Sequence, residues 1–155
     1  MTKILAVVAL LCLATPALAE EAKPAAKKAK APMTMTPADL KWTDVPGMKG
    51  LQSATVWGDP EKGAHGRFIK FVGGTENPLH RHTNDLRSVV VSGTFYVGAD
   101  AASAKDLPAG SASFTPGGWN HVSGCRAGAD CVIYSESTGK FDSVPAEKSA
   151  EAKKK

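Results

Sequence analysis

The chain has few aromatic residues, 6% of the total, and no stretch of it sustains a helical period, which argues against a helix bundle. Long apolar runs are scarce too. The one run that approaches membrane length, residues 4–13, falls well short of the about 20 apolar residues that a bilayer-spanning helix needs. At 155 residues the chain is too short for a multidomain machine and long enough for one modest domain. A basic surface is missing as well. The formal charge is +4, yet residues 41–142 hold ten basic and ten acidic side chains, so the excess lies at the chain ends and the core offers no clustered cations for nucleic acid.

What is present at the N-terminus is the pattern of a secretory signal. Lys3 precedes the apolar run, and Ala17-Leu18-Ala19 supplies the small residues of a cleavage site. Residues 1–19 are therefore expected to be removed, leaving an exported protein with no transmembrane span, in the bacterial periplasm or secreted. Cys12 is not expected to carry a lipid, because Leu11 occupies the place where lipoprotein signals have a small residue. Residues 20–39 form an Ala/Lys/Pro-rich linker and residues 143–155 a basic tail, both too poor in apolar surface to offset the entropy of ordering. Residues 40–142 are left as the folded domain.

Fifteen glycines and five prolines cut that domain into short β-branched or aromatic runs. Strands are expected at 51–57, 67–72, 79–82, 86–91, 94–97, 111–115, 120–123 and 131–135. Eight strands in about 100 residues, with turns every 8 to 12 residues, point to an all-β sandwich or small barrel of two sheets.

Three of the four histidines stand at metal-ligand spacings. His80 and His82 are one residue apart, so an extended segment projects both imidazoles from one face. His121 follows the Pro116-Gly117-Gly118 turn, and an antiparallel sheet would set it beside them. Neutral imidazole is the commonest metal ligand, and three facing nitrogens leave positions open for water or substrate. The plainer alternative is a polar pair on a solvated face. His65, at a turn before a strand, is read as a surface histidine, and Trp57 and Trp119 as packing residues, Trp119 on the face opposite His121.

The wider pattern resembles the cupin superfamily. Gly74, five residues, His80-Arg81-His82 and then Gly93 follow its first motif, and Gly110, five residues, Pro116, Gly118 and His121 follow its second. The resemblance implies a double-stranded β-helix, or jelly-roll barrel, of the RmlC-like kind, with His80, His82 and His121 as metal ligands inside. It departs from the family at the first-motif glutamate. Leu86 and Arg87 occupy those positions; strand parity aims Leu86 inward, and Asp85 would need a bulge to serve as an auxiliary ligand. Three histidines without a carboxylate suit Fe(II), Zn, Ni or Cu, Fe(II) and Zn first, and make Mn less suitable. Arg81 points away from the pocket, and Arg87 reaches it only from an irregular strand.

Cys125 and Cys131, across a short turn in an exported chain, are expected to form a disulfide that clamps a hairpin. The competing reading makes Cys125, four residues after His121 and on its face, a thiolate ligand. Two functions follow from the resemblance. One is an oxygen-dependent, dioxygenase-like oxidoreductase; the other is a non-catalytic module binding or sensing a small molecule or metal in the envelope. A small-molecule ligand and a homodimer are the expected partners, and no residue besides the ligands stands out as a general acid or base.

Overall fold

The structure, a computed structural model, describes residues 31–146. The expected signal segment, residues 20–30 of the expected linker and residues 147–155 lie outside them. Eleven strands form two antiparallel sheets facing each other. The first sheet runs in the order β1 (Thr43–Asp44), β2 (Leu51–Gly58), β3 (His65–Phe71), β10 (Cys131–Ser137), β5 (Leu86–Ser92), β8 (Ala112–Thr115). The second runs β11 (Val144–Pro145), β4 (Glu76–Arg81), β9 (His121–Cys125), β6 (Thr94–Gly98), β7 (Lys105–Pro108). All eight expected strands are present within a few residues of their expected ends. Three more are too short or too charged to show in the sequence, and one of them, β11, lies in the expected tail, where Val144 and Pro145 pair with Arg81 and His80. Within the expected linker, Pro37–Asp39 makes a single 3-10 turn capped by Thr36.

Strand alternation explains the interior. On β10, Cys131, Ile133, Ser135 and Ser137 face inward, paired in register with Phe71, Ile69, Arg67 and His65 of β3. On β9 the inward series is Cys125, Ser123, His121. Each series runs from apolar to polar in the same direction. The space between the sheets therefore has an apolar floor, where Leu51, Phe71, Phe95, Val90, Ile133 and both cysteines pack, and a polar end, where the histidines lie. Phe71 and Phe95 meet there at 5.3 Å between ring centroids, tilted at 56° to each other.

The Cys125–Cys131 bond forms as expected, but it clamps no hairpin. β9 and β10 belong to different sheets, so the disulfide joins the two layers at the floor. Next to it the chain also crosses between the sheets, at Gly93 between β5 and β6, with φ of 75°. A Cβ on Gly93 would stand 2.6 Å from the Asp130 carbonyl oxygen and 2.8 Å from both Cα and Sγ of Cys131.

A candidate three-histidine metal centre

His80 lies on β4, His82 directly follows that strand, and His121 opens β9 opposite His80 in register. All three are buried, with 3 to 6% of their surface exposed. Their ring centroids lie 4.2 Å (His80–His121), 4.8 Å (His80–His82) and 5.2 Å (His82–His121) apart, and the candidate ligand atoms all fall within 4.8 Å of one another. The histidines expected from spacing thus converge.

Their hydrogen bonds fix which nitrogen faces the centre. Nδ1 of His80 meets the Pro78 carbonyl at 2.7 Å, Nδ1 of His121 meets the Trp119 carbonyl at 2.9 Å, and Nδ1 of His82 meets the Asp142 carbonyl. A carbonyl oxygen can only accept, so each Nδ1 carries the proton and each neutral ring keeps its lone pair on Nε2. This is the outer-shell arrangement that orients metal-binding histidines. Asp142 does more, since its carboxylate accepts from the Thr83 amide at 2.8 Å and the Thr83 hydroxyl at 2.6 Å, tying residues 140–142 to the chain just past His82.

Electrostatics favour the same state. Burial, with the neighbouring His121, holds the His80 pKa down to about 4, and burial lowers those of His82 and His121. A depressed folded pKa means that the unfolded chain binds more protons than the folded one between pH 6.5 and about 4. The resulting stability is complete above pH 6.5 and lost as pH falls toward 4. The urea midpoint of the metal-free protein is therefore expected to drop across this window, and to drop less in His80→Gln. An equal slope in both would remove His80 from the explanation.

The rest of the lining was partly legible. Leu86 faces the cavity, as its parity requires. Asp85 does not reach it: its carboxylate accepts from the Gly117 amide at 2.8 Å and so holds the turn that leads to His121. Cys125 is no ligand either, being spent in the disulfide. His65 is 1% exposed, not a surface residue, because its strand begins earlier than expected and turns it inward. Trp119 stacks on His121, 17° from parallel at 5.2 Å, rather than facing away; residues two apart share a side. Trp57 is 37% exposed and donates its indole N–H to the Tyr134 hydroxyl at 2.9 Å. Arg81 and Arg87 are exposed, the latter over the Phe114 ring.

Asn77 was missed. Its amide nitrogen lies 3.2 Å from Nε2 of His80, where an N–H can donate to the lone pair. Three residues apart on a regular strand, the two would face opposite ways. A bulge between Asn77 and His80 shifts the register by one and brings both inside. Pro78 within the run was the available signal. Arg67, 5% exposed, and Phe141 also line the cavity, with the guanidinium carbon 3.7 Å from the ring centroid. The cavity has a free volume of about 50 Å³, and no carboxylate is among the residues that line it.

Similar folds occur in proteins of varied chemistry. The polyketide cyclase RemF from Streptomyces resistomycificus superposes with a TM-score of 0.64 at 16% identity, over 78% of this chain and 89% of that one. KdgF from Halomonas sp. gives 0.54 at 25%, over 66% and 92%. An RmlC-like cupin from Shewanella frigidimarina gives 0.54 at 26%, over 70% and 92%. No functionally curated protein matches the chain by sequence. The family described as "Domain of unknown function (DUF4437)" matches residues 17–155. With that match across most of its length and two sheets arranged as in RmlC-like proteins, the chain belongs to this family and has the cupin fold.

Proposed function

We propose that the protein is an exported cupin that holds one divalent transition metal through Nε2 of His80, His82 and His121 and binds a small molecule at the positions they leave open. The observation that carries this reading is the set of three Nδ1–H groups, each given to a main-chain carbonyl. That arrangement leaves an unprotonated Nε2 on each ring in a buried cavity, that of His80 in contact with the Asn77 amide, which a metal would displace, and the donor set fits Fe(II) or Zn first and Ni or Cu next. Such a metal would supply Lewis acidity, and iron would add oxygen chemistry. The chain's own part is to keep the imidazoles neutral and aimed, and to shield them with Leu86 and Phe141.

The catalytic form of this reading is a dioxygenase-like oxidoreductase. A non-catalytic ligand-binding or sensing module is the second reading, favoured by the lack of any carboxylate in the cavity lining to serve as a general base. Elemental analysis of untagged protein, beside the His80→Ala/His82→Ala/His121→Ala triple variant, tests the metal. About one transition-metal ion per chain is expected in the former and none in the latter. Oxygen uptake by the iron-loaded protein with thiols, phenols and diketones then separates the two readings, and uptake with none of them favours the module. Absence of metal after reconstitution under reducing conditions would overturn the proposal.

A further inference from the structure

Arg67 is the one buried cation at the histidine cavity among the described residues, and nothing in the proposed function uses it. It lies on β3 opposite Ser135, with its guanidinium over the face of Phe141. The same ring lies 5.2 Å from that of His82, so Phe141 contacts both the cation and the metal-binding face. Among the described residues Arg67 has no carboxylate partner. The ion pairs among the described residues are Lys62–Asp59 and Arg126–Asp106, both at the surface.

Burying a guanidinium without a counter-charge is costly, and proteins normally offset it with a carboxylate. Phe141 supplies only the weaker attraction of a ring face. Neutral imidazoles add no negative charge, and the glutamate of the first cupin motif is replaced by Leu86. A divalent ion beside Arg67 would therefore face a lining with no anion in it. The missing charge has to arrive with the ligand.

We propose that Arg67 is an anion receptor that selects a small carboxylate as the ligand of this cavity, its guanidinium pairing with the carboxylate beside the three histidines. The inference rests on the metal reading for the second positive charge, and on Arg67 alone for the first. Arg matches a carboxylate with two parallel N–H donors, which also fixes the orientation of the bound molecule. Ser88, Ser113 and Ser135 line the same part of the cavity and add hydroxyls for a polar substituent. Size limits the choice further. A free volume of about 50 Å³ holds on the order of three to five waters, so the carboxylate is a short one.

The test is calorimetric titration of the full chain, zinc-loaded and metal-free, with acetate, glycolate and the neutral isostere acetamide. Acetate is expected to bind the zinc-loaded chain at least tenfold more tightly than acetamide. Arg67→Met is expected to cut that difference at least threefold, to what the zinc alone supplies, without changing the zinc content, and Arg67→Lys to retain more of it. Equal binding of acetate and acetamide, or an acetate affinity unaltered in Arg67→Met, would overturn the inference. Should Arg67→Met fail to fold, the acetate–acetamide contrast in the metal-free unsubstituted chain decides, because zinc alone would favour acetate. If the chain takes up no zinc, the metal reading fails separately. Acetate binding to the metal-free protein that is lost in the Arg67 variants then still supports the receptor, and its absence overturns it.

Discussion

Replacement of His82 by alanine is expected to lower metal affinity by more than a hundredfold while leaving the metal-free protein folded. Loss of an outer-shell partner typically costs 10- to 100-fold in affinity, and removing a ligand outright exceeds that. The fold depends little on the imidazole, because His82 packs at the polar end of the sandwich, away from the apolar cluster. The contrast is measurable by thermal unfolding. A metal at a hundred times its dissociation constant stabilises a folded protein by about 2.7 kcal/mol, worth about 10 °C or more in a domain of this size. Added zinc is expected to produce that rise in the unsubstituted protein and almost none in His82→Ala. Equal rises in both would place the metal elsewhere.

Gly93→Ala is expected to be the most destabilising single-methyl change of the two family motifs, by about 3 kcal/mol or more. Two costs combine. A left-handed φ costs an L-residue about 1 to 2 kcal/mol, and the new Cβ would overlap main-chain atoms of Asp130 and Cys131 that have no free side chain to swing aside. Gly110→Ala separates the two. Gly110 has φ of 88° and nothing within 4 Å of its would-be Cβ, so it carries the conformational cost alone. Urea unfolding of both variants is expected to place the Gly110→Ala loss at about 1 kcal/mol, well below that of Gly93→Ala. Losses of equal size would show that the crossing of the two sheets at Cys131 tolerates a methyl group.

How far the site could be read from residues depended on whether strand alternation held. Where it held, position in the chain predicted position in the fold. His80 and His82 share a face, Leu86 points where the missing glutamate would, and Arg81 points out. Where a bulge broke the alternation, the prediction failed: Asn77 enters the cavity only because the register slips around Pro78. His65 was misread, and Arg67 not singled out, for another reason. Charged or polar residues at a strand start are usually exposed, and only the pairing of β3 with β10 shows that their side of the strand is the inner one. Asp142 was invisible for a third reason. Its role is played by a main-chain carbonyl, and no side-chain pattern records where a carbonyl will accept. The two-residue strands β1 and β11 carry too few residues to show any period, and they exist because longer neighbours offer them an edge.

The disulfide gives the two ends of the sandwich different dependence on their surroundings. It closes a loop of only six residues in sequence separation, yet it joins a strand of one layer to a strand of the other, beside the chain's own crossing at Gly93. His121 begins the same strand that Cys125 ends, and four residues of extended chain put about 13 Å between them. A thiol-rich compartment would therefore loosen the apolar floor while the imidazoles, held by main-chain carbonyls at the opposite end, kept their aim. Rigidity at one end is set by redox conditions, and at the other by backbone hydrogen bonds that such conditions do not reach. The floor attains its full stiffness only where the surroundings keep that disulfide oxidised.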